Sequence, residues 1–329
     1  MNVTVLADKI INDGYRVKRG DDLSIFLNSD LDELCQGADR IREAFKGNKV
    51  DLCTIVNGRS GKCGEDCKFC AQSVRHNSGC EQYEYLDEDE IVALAKSNES
   101  ELVNRYSIVT SGRSLSEENF KKTIHAFERM SKECKLDLCA SLGFLTVEQF
   151  KKLRESGVTS FHANIETSKR YFPSICTTHT YEDKIANIKR AQEAGLTVCS
   201  GGIIGMGETW EDRLDMAISL SELGVRSIPI NSLMPIPGTP LEHLESLTED
   251  DILRTVAFFR YINPTSNIRL AAGRALMENN GERAFKSGAS ATITGNMLTT
   301  SSSGIKEDRV MLESMGRDVT PEYAKDCSC

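Results

Sequence analysis

From residue 50 onward, short runs rich in apolar and β-branched residues alternate with longer stretches whose apolar residues recur at helical spacing. The short runs predict strands, because such residues suit an extended chain with at least one buried face. The eight predicted strands are Val50–Val56, Arg105–Ser111, Leu136–Leu142, Ser160–Glu166, Thr197–Ile204, Ser227–Leu233, Asn267–Gly273 and Ala291–Asn296.

The stretches between these strands predict helices with one buried face. They include Ser116–Met130, Thr146–Ser156, Tyr181–Ala194, Thr209–Leu223 and Glu249–Tyr261. Several begin with capping residues; Thr180, for example, is followed three residues later by Asp183. A strand followed by a helix, eight times over, predicts a (β/α)8 TIM barrel with a parallel sheet. The alternative is a six-stranded, doubly wound open sheet. The count of eight strand–helix units favours the barrel over this alternative.

Two flanking regions lack this alternation. Residues 1–49 predict two or three helices, one of them at Leu31–Phe45, that cap the bottom of the barrel. Residues 297–329 predict a loop, a short helix at Asp308–Met315 and a tail that ends in Cys327 and Cys329. The expected units are therefore a helical cap (1–49), a barrel (50–296) and a C-terminal tail (297–329).

Composition narrows the class of protein. The 329 residues carry a formal net charge of -9, and no dense stripe of Lys or Arg occurs, which argues against a nucleic-acid partner. No apolar run approaches the ~20 residues that a membrane span requires. The N-terminal residues lack the basic-then-apolar order of a signal peptide, so we expect a cytoplasmic protein without a membrane partner.

Twelve cysteines are unusual for a protein of the reducing cytosol, and they indicate metal or redox chemistry. Cys63, Cys67 and Cys70 supply three thiols within eight residues, in the loop that follows the first predicted strand. A structural zinc site requires four protein ligands that close the coordination sphere, whereas three thiolates on a four-iron cluster leave one iron without a protein ligand. The isolated Cys35, Cys53, Cys134 and Cys176 are interpreted as small buried apolar residues, and Cys80 has no assigned role.

This three-cysteine spacing, with the aromatic Phe69 just before the third cysteine, resembles the radical S-adenosylmethionine (SAM) superfamily. The segment GGIIGMGE resembles that superfamily's G-x-I-x-G-x-x-E strand, which places Ile203 and Gly205 along the adenine of SAM. The resemblance implies a 4Fe–4S cluster whose open iron binds SAM and whose electron generates a 5′-deoxyadenosyl radical. It implies no acid or base catalysis by a side chain.

A closer resemblance, to the biotin synthase family, covers nearly the whole chain. It rests on NGRSGKCGEDCKFCAQS, FHANIETS, TTHTYEDK, VCSGGIIGMGE, PINSLMPIPGTPL and NPTSNIRLAAGR, which occur in the family's order. It implies insertion of sulfur into dethiobiotin to give biotin. Asn164 and Glu166 then lie between SAM and substrate, and Asn231 binds substrate, unless that amide only satisfies a turn. Lys184 occupies the position of an arginine near the SAM carboxylate, without its bidentate fork.

The family's second, 2Fe–2S cluster is bound by three cysteines and an arginine, and it donates the sulfur. Cys139, Cys199 and Arg269 match three of these positions, but Ser107 replaces the remaining cysteine, and serine is a much weaker iron ligand. Cys327 and Cys329 are therefore candidate ligands of a rearranged auxiliary cluster. With these extra thiolates, a cluster of four irons is more suitable than one of two.

Other functions stay open at this point. A related SAM enzyme that inserts no sulfur, such as a mutase or maturase, is consistent with Ser107, although the retention of Cys139, Cys199 and Arg269 argues against it. An iron–sulfur electron carrier or a zinc-binding scaffold needs no barrel of about 250 residues. The resemblance also implies a flavodoxin- or ferredoxin-type electron donor and a homodimer.

Overall fold

The computed structural model describes residues 2–295 and 304–323 of the chain. Within these residues, parallel strands form a closed sheet whose order follows the sequence. The strands are β1 (Asp51–Arg59), β2 (Arg105–Thr110), β3 (Asp137–Ser141), β4 (Val158–His162), β5 (Thr197–Cys199), β6 (Gly202–Ile204), β7 (Ser227–Ser232), β8 (Asn267–Leu270) and β9 (Ala291–Ile293). Because β5 and β6 share one position, the sheet is an eight-stranded barrel, and the predicted fold is confirmed.

Helices surround this sheet. They are α1 (Val3–Asn12), α2 (Ile25–Asn28), α3 (Leu31–Lys46), α4 (Glu88–Ser100), α5 (Glu117–Glu133), α6 (Val147–Glu155), α7 (Phe172–Ile175), α8 (Tyr181–Glu193), α9 (Trp210–Glu222), α10 (Glu249–Ile262), α11 (Glu282–Phe285) and α12 (Ile305–Ser314). Four of them, α6, α8, α9 and α10, begin with a capping box. None of the described helices is long and apolar enough to cross a lipid bilayer.

The fifth predicted strand, Thr197–Ile204, is broken into β5 and β6. At the break, the backbone of Gly201 passes so close to the neighbouring strand that a Cβ atom would lie 1.9 Å from the carbonyl oxygen of Pro229. The predicted strand Ser160–Glu166 is also too long, since β4 ends at His162 and Glu166 makes only an isolated bridge to Gly202. Both differences arise where polar residues turn the chain into the mouth of the barrel.

The N-terminal helices pack on the outside of the barrel, chiefly against α10. The Tyr261 hydroxyl of α10 donates to the carbonyl of Val3 at 3.1 Å, and the ring of Phe26 lies 5.4 Å from that of Tyr261. At the other end of the chain, Arg274 and Asp308 form a buried ion pair that ties α12 to the loop after β8. Both flanking regions are thus anchored to the barrel through its second half.

A single cavity of about 1160 Å³ occupies the centre of the barrel. It extends from the cysteine loop, through inward-facing residues of the strands, to Lys46 at the end of α3. TIM barrels usually fill this space with apolar side chains. Here the space is open, and polar and sulfur-bearing side chains line it together with apolar ones, so the interior can hold other groups.

Candidate iron–sulfur and cofactor site

The loop after β1 holds the three clustered cysteines at one mouth of the cavity. Its backbone folds back on itself: the amide of Cys63 donates to the Gln72 carbonyl at 3.1 Å, and the amide of Val74 donates to the Cys63 carbonyl at 2.8 Å. The amide of Cys70 closes a turn on the Cys67 carbonyl at 2.9 Å. All three cysteines line the cavity, so one iron–sulfur cluster can reach the three thiols and still face open space.

A second thiol group lies beside this loop. The Cys67 Sγ is 3.7 Å from the Cys176 Sγ, which is 3.3 Å from Nδ1 of His179. The hydrogen bond with Cys176 raises the pKa of the Cys67 thiol, and burial raises that of Cys70 to about 11. Because iron binds thiolates, cluster assembly must displace these protons. Cys176 is buried as expected, but its contact with Cys67 was not predicted, since nothing local in the sequence reveals it.

The glycine-rich turn after β6 is held by a buried carboxylate. Glu208 accepts hydrogen bonds from the amides of Gly205 and Met206, both at 2.7 Å, and from Nε of Arg213 at 2.7 Å. Gly205 has a φ of +90°, which disfavours any side chain there. The G-x-x-E spacing therefore has a physical reason. Gly205 allows the turn, and Glu208, three residues later, holds it through hydrogen bonds.

An apolar surface adjoins the cysteine loop and this turn. Phe69 and Ile203 pack together on one small cluster, whose buried members are Ile175, Met206, Leu233 and Leu241. Phe69 and Ile203 also line the cavity. The arrangement offers a flat apolar contact for a ring such as adenine, next to the thiols.

Glu166 and Lys184 place a buried ion pair in the cavity wall. The Lys184 Nζ lies 3.2 Å from Oε1 of Glu166, and the side chains are 16% and 11% exposed. Burial alone would lower the pKa of Lys184, but the Glu166 carboxylate holds it above its ordinary value. Glu166 has a φ of +68°, and its Oε2 is buried without a partner among the described residues. Strain and an unpaired oxygen at one residue are typical of a ligand-binding position.

The two asparagines assigned to the substrate both line the cavity, and both also bind backbone groups. Oδ1 of Asn164 accepts from the amide of Gly201 at 3.1 Å. Asn231 donates to the Gly202 carbonyl at 3.0 Å and accepts from the Ala272 amide at 3.2 Å. Asn231 thus satisfies backbone hydrogen-bonding groups at strand ends, which is the alternative to a role in binding substrate. Its side chain also lies at the cavity surface.

Deeper in the barrel, Cys139, Cys199, Arg269 and Ser107 all line the same cavity. Ser107 pairs in register with Cys139 on the adjacent strand. Burial raises the pKa of Cys139 to about 11, whereas His162 and Arg269 outweigh burial and hold the pKa of Cys199 below its ordinary value. These four residues therefore share one cavity, and the role of Cys139, Cys199 and Arg269 at an auxiliary cluster stays a prediction.

Hydrogen bonds to protein groups orient the guanidinium of Arg269. Its guanidinium donates to the Asp51 carboxylate at 2.6 Å, to the carbonyl of Thr292 at 2.9 Å and to the hydroxyl of Ser227 at 3.4 Å.

One residue of this region was missed by the sequence analysis. Cys53, interpreted as an isolated apolar cysteine, also lines the cavity. The signal available was its place in the alternation of β1, where Cys53 and Ile55 share the inward face. Cys327 and Cys329 lie outside the described residues.

Known structures share this architecture. Methylornithine synthase aligns with a TM-score of 0.83 and 19% identity over 98% of both chains. The FeFe-hydrogenase maturase of Carboxydothermus hydrogenoformans aligns with a TM-score of 0.79 and 15% identity over 95% of this chain and 78% of its own. At such identities the likeness concerns the fold alone.

Sequence comparison is more specific. Residues 57–220 match the model of the Radical SAM superfamily, and residues 229–318 match the Biotin and Thiamin Synthesis associated domain. The chain is 60% identical to the biotin synthase of Alkaliphilus metalliredigens over 96% of this chain and 99% of that protein. It is also 60% identical to the biotin synthase of Clostridium beijerinckii, over 94% and 98%. Both resemblances inferred from the motifs are thereby confirmed: the chain belongs to the biotin synthase family of the radical SAM superfamily.

Proposed function

We propose that this chain converts dethiobiotin to biotin, with a 4Fe–4S cluster on Cys63, Cys67 and Cys70 and with SAM as cofactor. The observation that carries the proposal is the single cavity that joins these three thiols to the deeper Cys139 and Cys199. A sulfur-inserting enzyme needs both a radical source and a sulfur source within reach of one substrate. One continuous cavity meets that need.

The family implies the 4Fe–4S cluster and SAM, and the residues fit them: three thiols at the mouth, an apolar surface at Phe69 and Ile203, and a buried polar pair behind. When bound, these groups supply an electron and a 5′-deoxyadenosyl radical for hydrogen abstraction. Lys184 provides a positive charge for the SAM carboxylate, and the free Oε2 of Glu166 provides an acceptor for a ribose hydroxyl.

Dethiobiotin would lie below SAM, against Asn164 and Asn231. Asn231 already uses its amide on two backbone groups, so it serves the substrate chiefly by fixing the shape of the cavity wall.

The sulfur source is an auxiliary cluster at Cys139, Cys199 and Arg269, and we propose that it contains four irons. Ser107 leaves this site short of one thiolate compared with the family's set. The tail cysteines Cys327 and Cys329 would supply further thiolates. An electron donor of the flavodoxin or ferredoxin type, a homodimeric assembly and a cytoplasmic location complete the proposal.

Anaerobic reconstitution tests this function. The wild-type chain should form biotin from dethiobiotin and release 5′-deoxyadenosine in response to it. Replacing any one of Cys63, Cys67 or Cys70 by Ala should abolish SAM cleavage, because an iron loses its charged ligand. A protein that cleaves SAM but ignores dethiobiotin and turns over another small molecule would instead be a non-sulfurating mutase or maturase, as Ser107 allows.

The tail is tested separately. If Cys327 and Cys329 bind the auxiliary cluster, then Cys327→Ser/Cys329→Ser should lose the iron above the ~4 per chain of the SAM-cleaving cluster. Iron and sulfide counts beside electron paramagnetic resonance measure this. An unchanged count with intact biotin formation would exclude a role for these thiols.

A further inference from the structure

Cys53 has the chemistry of a ligand, although the sequence analysis assigned it no such role. It lies near the start of β1, is 8% exposed, and lines the cavity. Among the described residues, its thiol has only a weak contact, 3.7 Å to the carbonyl oxygen of Thr54. A thiol that merely filled space would be covered by apolar side chains, whereas this one borders the same polar cavity as Cys139 and Cys199.

Its position relative to Ser107 follows from the strand register. β1 and β2 are neighbours, with Cys53 opposite Arg105 and Ile55 opposite Ser107. Cys53 therefore lies one strand over from Ser107 and one inward-facing position earlier. With strands ~4.8 Å apart and ~3.3 Å per residue, the two Cα atoms are separated by roughly 8 Å. A thiol at position 53 can thus reach the part of the barrel that a thiol at position 107 would reach.

The charges around Cys53 suit a group bound by several thiolates. Arg269, Cys139 and Cys199 line the same cavity as Cys53. Arg269 is buried and Arg105 is partly exposed; Asp51 pairs with both, and Asp137 pairs with Arg105. A guanidinium close to a thiolate lowers the cost of burying that thiolate.

We propose that Cys53 supplies the thiolate that position 107 lacks, so that Cys53, Cys139 and Cys199, with Arg269, hold the auxiliary cluster. This inference rests on the proposed function, which requires such a cluster. The family's set of three thiolates and one arginine is then complete inside the barrel, with one thiolate moved from β2 to β1. Thiolates from Cys327 and Cys329 would then add to this set rather than replace the missing one.

The test uses the full chain, reconstituted without oxygen, with iron and sulfide counts and electron paramagnetic resonance. Cys53→Ser should keep the ~4 irons and the SAM-dependent signal of the first cluster, and should lose the remaining iron. Cys35→Ser is the matched control, since Cys35 is a buried cysteine on α3 that does not line the cavity. It should keep both clusters.

A second variant separates ligation from a structural defect. Cys53→Ser/Ser107→Cys moves the thiol back to β2, and it should recover the auxiliary iron that Cys53→Ser loses. Loss in both variants, or retention of the auxiliary iron in Cys53→Ser, would overturn the assignment. A wild-type chain with only ~4 irons would instead refute the auxiliary cluster itself, and with it the proposed sulfur source.

Discussion

Replacing Glu208 by Gln tests whether a buried carboxylate shapes the proposed SAM site. The Glu208 side chain is 1% exposed and accepts from two backbone amides and from Nε of Arg213, each at 2.7 Å. The variant keeps the size of the side chain but replaces one acceptor oxygen with a donor. One amide of the Gly205–Met206 turn then faces another N–H group, and Arg213 loses its counter-charge.

The magnitude follows from these contacts. A hydrogen bond to a charged group contributes ~1.5–3 kcal/mol, and removing one partner of a buried ion pair costs ~3–5 kcal/mol. Because the same carboxylate makes both interactions, the costs overlap rather than add. We therefore expect Glu208→Gln to lower the free energy of unfolding by ~3–5 kcal/mol. We also expect at least ~10-fold weaker SAM binding, which corresponds to ~1.4 kcal/mol.

Urea unfolding measures the first effect, and anaerobic calorimetric titration of the reconstituted protein with SAM measures the second. Glu211→Gln, an exposed glutamate in the first turn of α9, is the matched control and should change stability by less than ~1 kcal/mol. The reasoning fails if Glu208→Gln unfolds and binds SAM like the control.

Three further predictions concern other parts of the barrel. Asn231→Ala should weaken the response to dethiobiotin, measured as release of 5′-deoxyadenosine, by a factor that corresponds to ~1–3 kcal/mol, because two backbone groups lose their hydrogen-bond partner. Equal responses in variant and wild type would contradict this. Asp308→Asn should destabilise the fold by ~3–5 kcal/mol in urea, because it breaks the buried pair with Arg274; a loss below ~1 kcal/mol would show that α12 is not anchored there. Burial alone would raise the pKa of Asp212, but hydrogen bonds from Ser168 and neighbouring groups hold this pKa below its ordinary value. The ionised Asp212 therefore stabilises the fold fully above the ordinary pKa of an aspartate, and this stabilisation is lost as the pH falls through the lower pKa of the folded state. Asp212→Asn should therefore flatten the acid limb of a stability–pH curve, and an unchanged limb would exclude this contribution.

The barrel and the cysteine loop could be predicted because their signals are local. Alternating strand and helix patterns record which faces are buried, and Cys63, Cys67 and Cys70 lie within eight residues, so one loop brings them together. Glu166 and Lys184 were predicted to have separate roles at the SAM site, and their ion pair was not predicted. Its geometry, with Glu166 at a φ of +68°, comes from the packing of the loop after β4 against β6.

By itself, the sequence determined the order of elements, the place of the radical SAM cysteines and the family, since each depends on the spacing of neighbouring residues. The tertiary structure decided which distant residues meet. Cys53 and Cys199 are 146 positions apart, yet both face one cavity, because strand register and barrel closure bring alternate residues of separate strands to a common interior. Cys176 likewise meets Cys67 only because the loop after β4 folds against the loop after β1. Such contacts arise from the packing of whole elements, and spacing along the chain carries no record of them.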